Sequence, residues 1–166
     1  MSNKVVFSLL VDNEAGVLSR VAGLFSRRGY NIDSVTVGVT ENPAYSRMTV
    51  AVSGDNASLS QIKKQLNKLE DVVEIVELEP GKSVCRELVM IKVECGPERR
   101  QQVSSIADIF RANIVDVSKE SMIIALTGSL SKMNAFVELL EDFNITEIAR
   151  TGITGLARGS ADLNKM

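Results

Sequence analysis

Residues 5–29 read VVFSLLVDNEAGVLSRVAGLFSRRG, and they predict a strand, a turn and a helix in succession. Residues 5–11 are rich in branched side chains, which is typical of a buried strand. Residues 12–16 have the composition of a turn. From Val17 onward the apolar side chains recur at helical spacing. Residues 27–29 end that helix, because two arginines favour its last turn and the glycine suits the left-handed position that follows.

The rest of the chain repeats this alternation and predicts two units of one architecture. The other elements of the first unit are strands at residues 32–39, 48–52 and 72–78 and a helix beginning near residue 56. Those of the second unit are strands at residues 88–93, 114–117, 122–126 and 145–149, a helix that starts at residues 96–98 and a helix capped by Ser129 or Ser131. The order in each unit is strand, helix, strand, strand, helix, strand, which is the split βαβ arrangement. We therefore predict an α+β chain of two tandem ferredoxin-like βαββαβ units.

The linker at residues 80–83 sets the predicted domain bounds. The first domain covers residues 4–78, the second covers residues 84–157, and residues 158–166 form a flexible tail. A four-stranded sheet with helices on one face leaves its edges and its other face uncovered. Because such surfaces favour pairing with another chain, we expect a dimer or a larger oligomer.

One helix start is ambiguous at the level of sequence. Before the second helix of the first unit, residues 53–56 break the strand pattern and offer helix caps. Ser58 and Gln61 have the spacing of a capping box. Asn56 is the other candidate for the cap, because asparagine is favoured at that position.

Composition and charge exclude several functional classes. The 166 residues are 45% hydrophobic and 24% charged, which is typical of a globular chain. A net charge of −2 provides no global field for nucleic acid or anionic lipid. The chain has no histidine, and Cys85 and Cys95 fit no metal-ligand spacing, so no metal site is expected. With no signal sequence and no apolar run of about 20 residues, we expect no membrane association and a cytoplasmic location.

Residues 13–18 are the segment most suited to binding a ligand, because they join a strand to a helix start through a glycine turn. Helix N-termini leave backbone N–H groups unpaired and favour a phosphate or a carboxylate. Gly16 permits positive φ and a close approach to the backbone. Asn31 offers a donor and an acceptor, which suits a zwitterion such as a free amino acid. From the residues alone, two alternatives remain open. Gly16 forms a tight turn that binds no ligand, and Asn31 has a purely structural role in a turn.

A resemblance to a known family adds to this interpretation. Residues 10–21, LVDNEAGVLSRV, resemble the opening of an ACT domain, a small amino-acid-binding module. Residues 23–32, GLFSRRGYNI, are similar to the regulatory (small) subunit of acetolactate synthase, also called acetohydroxyacid synthase. The shorter matching runs are residues 46–49, 61–69, 71–72, 109–112, 114–117, 149–152 and 156–159.

The resemblance implies a regulatory role without catalysis. Family members bind and stimulate a separate large catalytic subunit, which condenses two pyruvates to 2-acetolactate with release of CO2. That subunit uses thiamine diphosphate, Mg²⁺ and usually FAD, so no cofactor is expected in this chain. The small subunit confers feedback inhibition by valine in branched-chain amino acid biosynthesis. Neither half of the chain offers a plausible nucleophile–base pair, which agrees with a non-catalytic role.

The resemblance also implies where free valine binds, since in the family the effector lies between two ACT domains of a homodimer. Carried over, Asn13 and the backbone around Gly16 hold the ligand from one protomer, and the other protomer contributes the start of its second strand. The full set of expected effector residues is Asn13, Ala15, Gly16, Val17, Leu18, Asn31, Ile32, Val37 and Gly38. Many members have a slightly larger residue in place of Gly38, so a looser preference for valine over leucine and isoleucine is expected.

Other ferredoxin-like proteins fit the sequence less well. RNA-binding RRM domains need stacking aromatics on the third strand, and residues 47–52 contain none. An acylphosphatase-type enzyme needs an arginine in the first loop, and residues 12–16 contain none. The remaining alternative is a stand-alone double-ACT amino-acid sensor that controls another enzyme or a regulator. Co-purification with a thiamine-diphosphate enzyme distinguishes the two.

Overall fold

A computed structural model describes residues 3–159, and the chain divides into two compact units. Unit 1 comprises Met1–Cys85 with Gly152–Met166, and unit 2 comprises Arg86–Thr151. Both contain the predicted βαββαβ order of an α+β ferredoxin-like fold. Of the predicted flexible tail, residues 160–166 lie outside the described part of the chain.

Unit 1 is a four-stranded antiparallel sheet covered on one face by two helices. Its elements are β1 (Asn3–Asp12), α1 (Val17–Arg27), β2 (Ile32–Val39), β3 (Tyr45–Gly54), α2 (Asn56–Asn67) and β4 (Val72–Glu77). The strands lie in the order β2-β3-β1-β4, so β2 and β4 are the edges of the sheet.

The core of unit 1 lies between the sheet and its helices. Alternate strand residues point to this side, as the period of two in an extended chain requires. The core residues are Phe7, Leu9, Val11, Met48, Val50 and Val52 of the strands and Val17, Val21, Leu24, Phe25, Leu59, Ile62 and Leu66 of the helices. Their near-complete burial supplies the main driving force for folding of the unit.

The cap of α2 differs from the sequence-based expectation. The carboxylate of Asp55 accepts a hydrogen bond from the backbone N–H of Ser58 at 2.7 Å. Asp55, which lies in the stretch 53–56 expected to offer caps, is therefore the N-cap, and the two specific candidates, Asn56 and the Ser58–Gln61 box, are wrong. The physical reason is that Asp55 has the extended backbone of a cap (φ −75°, ψ 163°), whereas Asn56 and Ser58 already lie within the first helical turn.

The face of the unit 1 sheet that points away from the helices is partly covered by the C-terminal residues. A short strand that the sequence did not reveal, β9 (Thr154–Ala157), pairs with the beginning of β5 (Ser83–Glu94). The Thr36 hydroxyl donates to the carbonyl oxygen of Ile153 at 3.4 Å. Residues 152–157, which the sequence-based bounds placed in the second domain, belong by their contacts to unit 1. The expected bare face is thus not fully bare.

Two glycines permit this close packing. A Cβ on Gly155 would lie 2.7 Å from Sγ of Cys85 and 2.8 Å from the carbonyl oxygen of Val84. Gly152 has φ +83°, and its Cβ would lie 2.5 Å from Cβ of Ser34. No larger residue fits either position without displacing its neighbours. The pair of glycines is the one sequence signal that could have revealed this contact.

Unit 2 repeats the architecture. Its elements are the rest of β5, α3 (Arg100–Phe110), β6 (Asn113–Val117), β7 (Ser121–Gly128), α4 (Leu130–Leu140), the 3₁₀ turn Glu141–Phe143 and β8 (Ile145–Arg150). The sheet order is β6-β7-β5-β8. The core residues are Val89, Ile91, Val93, Cys95, Val103, Ala107, Met122, Ile124, Leu126, Met133, Phe136, Leu140 and Phe143. Ser129, one of two expected caps, accepts from the backbone N–H of Lys132 and begins α4.

Candidate functional site

The N-terminus of α1 has the open geometry that the sequence predicts. Gly16 is its N-cap with φ +87°, and no side chain accepts a hydrogen bond from the first turn. By contrast, Asp55 caps α2. The N–H groups at the start of α1 therefore lack a side-chain partner, which is the condition under which a helix start accepts an anion.

The residues around Gly16 divide between surface and core. Ala15 is exposed and Leu18 is 48% exposed, so both are available to a ligand or a second chain. Val17 is only 4% exposed and belongs to the core of unit 1. Its side chain is therefore unavailable to a ligand, and at this position only the backbone can take part in binding.

A charged residue that sequence reasoning missed lies at the same helix start. Arg20 pairs with Asp71, with Nε 2.6 Å from Oδ2 and Nη2 3.0 Å from Oδ1. The hydrogen bond with Arg20 lowers the pKa of Asp71, and the same bond raises the pKa of Arg20. Nη1, the remaining guanidinium nitrogen, faces Gly16 and lies 2.9 Å from the position of a Cβ on that glycine. No local sequence pattern links Arg20 with Asp71, because folding alone brings them together.

Asn13 lies beside this helix start and stabilises the neighbouring loop. Its Nδ2 donates to the carbonyl oxygen of Pro43 at 2.9 Å, and its Oδ1 accepts from the hydroxyl of Ser46 at 3.1 Å. The backbone N–H of Asn13 donates to the carbonyl oxygen of Ala44 at 2.8 Å. The amide keeps one further N–H and one further lone pair for a ligand.

The predicted residues of β2 are divided between its two ends. Gly29 ends α1 with φ +69°, as predicted, and the chain then enters β2. Asn31 is exposed, and its side chain makes no hydrogen bond with any of residues 3–159. Ile32 packs against the core. At the other end Val37 is 47% exposed, and a Cβ on Gly38 would meet no atom within 4 Å.

The register of the sheet keeps these two ends apart. Ile32 pairs with Val52, near the start of β2. Val39 pairs with Ser46, whose hydroxyl donates to Asn13. The stretch of β3 from Ser46 to Val52 corresponds to roughly 20 Å at about 3.4 Å per residue. One chain therefore does not bring the start of β2 to the Asn13–Gly16 loop, and a shared site needs a second copy.

The edge strand β2 carries uncovered apolar side chains. Val35, Val37 and Val39 lie on the helix side of the sheet, since Val35 and Val37 pair with the core residues Val50 and Met48. They are 38%, 47% and 63% exposed, because the helices do not extend over this edge. An unpaired strand with an apolar flank is a surface suited to pairing with another strand.

Residues 3–159 hold no group of three or more His, Cys, Asp or Glu side chains placed to bind a metal ion. Burial raises the pKa of the Cys95 thiol, which disfavours its thiolate. In the same residues, no helix is long and apolar enough to cross a membrane.

The fold and the open helix start define a class of protein, a tandem ACT-like chain of two ferredoxin-like units. Residues 7–74 match the family model of the AHAS small subunit-like ACT domain, and residues 86–159 match that of the small subunit of acetolactate synthase. Together the two matches span most of the chain. This chain belongs to the acetolactate synthase small-subunit family, which confirms the resemblance found in the sequence.

Individual relatives agree with this assignment. A probable acetolactate synthase small subunit of Methanothermobacter thermautotrophicus is 49% identical over 93% of both chains. The acetolactate synthase isozyme 3 small subunit of Salmonella typhimurium is 45% identical over 93% of this chain and 95% of its own. The crystal structure of the acetolactate synthase small subunit from Thermotoga maritima has a TM-score of 0.86 and 43% identity, and it covers 96% of this chain and 99% of its own.

Proposed function

We propose that this chain is the non-catalytic regulatory subunit of an acetolactate synthase. It binds and activates a large catalytic subunit that condenses two pyruvates to 2-acetolactate and CO2, and it confers feedback inhibition by valine. Thiamine diphosphate, Mg²⁺ and FAD belong to the catalytic partner in this proposal. The observation that carries it is the match of both units to the small-subunit family.

The valine carboxylate is proposed to bind at the N-terminus of α1. There the N–H groups without a side-chain partner and the Nη1 of Arg20 provide hydrogen-bond donors for an anion at Gly16. The free N–H of the Asn13 amide is a further donor beside the turn. This arrangement supports recognition of an anion, while the α-ammonium group of valine needs acceptors from elsewhere.

A homodimer is proposed to supply those acceptors. If two copies pair their β2 edges in antiparallel orientation, the start of one β2 lies beside the end of the other. Asn31 of the second copy then approaches the Val39 end, where Ser46 holds Asn13. The same pairing buries the exposed Val35 and Val37 of both copies and satisfies the free backbone groups of the edge.

The side chain of valine is proposed to point toward Val37 and Gly38. Val37 is 47% exposed on the helix side, whereas Gly38 contributes backbone only, since a Cβ there would point to the face of Arg47. One methylene more or less in such a pocket changes binding by roughly 1–3 kcal/mol. Selectivity for valine over leucine and isoleucine should therefore be modest.

Inhibition requires that valine bind two arrangements of the complex with different affinities. We propose that valine tightens or rotates the ACT dimer, and that the catalytic subunit responds to this change. Small-angle scattering of the chain with and without valine tests this step. Identical scattering curves at saturating valine would argue against it.

Reconstitution tests the proposed function as a whole. The acetolactate synthase large subunit of the same organism is assayed alone, with this chain, and with this chain plus L-valine. We expect activation by the chain and inhibition by valine only in its presence. Calorimetric titration of L-valine into the chain should show a saturable site that Gly16→Asp removes. A chain that binds valine but neither binds nor activates the catalytic subunit would be a stand-alone sensor, and the proposal would be wrong.

A further inference from the structure

The face of unit 1 that points away from the helices contains a cavity of about 260 Å³. Its lining includes Ser8, Arg47, Glu74, Val76, Leu78 and Leu156. All of these residues belong to unit 1, and Leu156 lies on β9, which covers part of this face. None of them belongs to the proposed valine site.

Two opposite charges flank this cavity. Leu10 pairs with Arg47 on one side and with Glu74 on the other, so all three side chains share one face of the sheet. The Cα atoms of Arg47 and Glu74 are therefore two strand spacings apart, roughly 9–10 Å. Both residues are half-buried. The buried hydroxyl of Ser8, two residues from Leu10 on the same face of β1, accepts a hydrogen bond from Nη1 of Arg47 at 2.8 Å.

Neither charge is neutralised within the described part of the chain. Neither Arg47 nor Glu74 takes part in the ion pairs described within residues 3–159. Half-buried charges lose hydration, and that cost is offset only when a partner restores the lost interactions. A ligand that carries both charges at once would complement Arg47 and Glu74 together.

The other wall of the cavity is apolar. Val76 and Leu78 form the sheet side, and Leu156 is 60% exposed on β9. Pockets for drug-sized ligands are roughly 300–1,000 Å³, so this smaller cavity suits a small metabolite. Contact with an apolar ligand group would remove Leu156 from water, which is favourable.

We infer that this cavity binds a free α-amino acid with an apolar side chain, as a second site distinct from the one at Gly16. The ligand carboxylate accepts from Arg47, the ammonium group donates to Glu74, and the side chain contacts Val76 and Leu156. Because the ligand touches both the sheet and β9, it also stabilises the contact between them. The inference goes beyond the proposed function and does not depend on it.

Titration of the full chain carrying Gly16→Asp isolates this site, with L-leucine and L-valine as probes. Binding is followed by calorimetry and by the NMR signals of Ser8 and Leu156. We expect one saturable site per chain, slower hydrogen exchange in β9 when it is filled, and no binding of the N-acetyl or amide derivatives of the same amino acids. Arg47→Gln and Glu74→Gln should each weaken binding by about tenfold or more, as for a lost charged hydrogen bond.

The matched control is Glu77→Gln, which removes the same charge from the same strand. Glu77 pairs with the core residue Phe7, so it lies on the helix side of the sheet, and its loss should leave binding unchanged. No saturable binding of either amino acid, or binding that Arg47→Gln and Glu74→Gln leave intact while both variants stay folded, overturns the inference. If Gly16→Asp leaves all valine binding of the chain unchanged but Arg47→Gln removes it, the cavity is a site and the proposed helix-start site fails.

Discussion

The guanidinium group of Arg20 lies over Gly16, with Nη1 2.9 Å from the position of a Cβ on that glycine. Asp71 fixes this orientation, because it binds Nε and Nη2 and leaves Nη1 toward the helix start. The positive end of α1 and a guanidinium nitrogen thus meet at the only N-cap glycine of the four described α-helices. This arrangement supports the carboxylate site that we propose at the N-terminus of α1.

Gly16→Asp should strongly weaken the binding of valine. Its carboxylate would occupy the helix start, contact Arg20 and repel the carboxylate of the ligand. Gly16→Asn is the matched control, since asparagine and aspartate both tolerate the left-handed conformation at φ +87°. We expect Gly16→Asp to weaken valine binding by about 10- to 150-fold relative to Gly16→Asn, in line with roughly 1.5–3 kcal/mol for a charged hydrogen bond. Equal affinities in calorimetry would rule out an anion site at this turn.

The Arg20–Asp71 pair should make the stability of the chain depend on pH in the acid range. Arg20 lowers the pKa of Asp71 in the folded chain, so the unfolded chain binds a proton more readily. The stabilising contribution is therefore complete above about pH 4, the usual range of an aspartate, and is lost as the pH falls through the lowered folded value. Melting temperatures measured from pH 7 to pH 2 should fall less steeply for Asp71→Asn than for the natural chain. Glu70→Gln, an exposed neighbour, should melt as the natural chain does.

The two asparagines of the candidate site should respond differently to truncation. Asn31→Ala should weaken valine binding by roughly 0.5–1.5 kcal/mol, about two- to tenfold, without lowering the melting temperature, because its side chain bonds no residue among 3–159. Asn13→Ala should lower the melting temperature, since it removes the bonds to Pro43 and Ser46. Calorimetry and thermal melts of both variants provide the comparison. Unchanged valine affinity in Asn31→Ala would leave Asn31 as an ordinary turn residue.

The packing of β9 should tolerate no side chain at Gly155. Gly155→Ala places a methyl group 2.7 Å from Sγ of Cys85, and we expect a loss of roughly 1–3 kcal/mol in the free energy of unfolding, as for overpacking. Hydrogen exchange in β9 should become faster. Gly38→Ala is the control, since its methyl group enters open space and should leave stability nearly unchanged. A fully stable Gly155→Ala chain would mean that β9 shifts at little cost.

Much of the local structure follows from the sequence. The change from a period of two to one of 3.6 predicts the start of α1 at Val17, and β2 has the bounds that its alternation predicts. The left-handed glycines at positions 16 and 29 follow from turn chemistry. These features depend on residues that are close together along the chain, so they can be predicted from one sequence.

Only the tertiary structure decided which distant residues meet. Arg20 faces Asp71 and Asn13 bonds Ser46, and neither contact leaves a local pattern in the sequence. Several polar residues precede α2, and the extended backbone conformation of Asp55 makes it the N-cap of this helix. The sequence identified Asn13 and Asn31 as candidates, and the register of β2 on β3 separates them within one chain. The periodicity of the sequence predicts which face of a helix or strand is buried. Three features arise only when those faces pack together: the register of the strands, the pairing of β9 with β5, and the placement of Arg47 and Glu74 at one cavity.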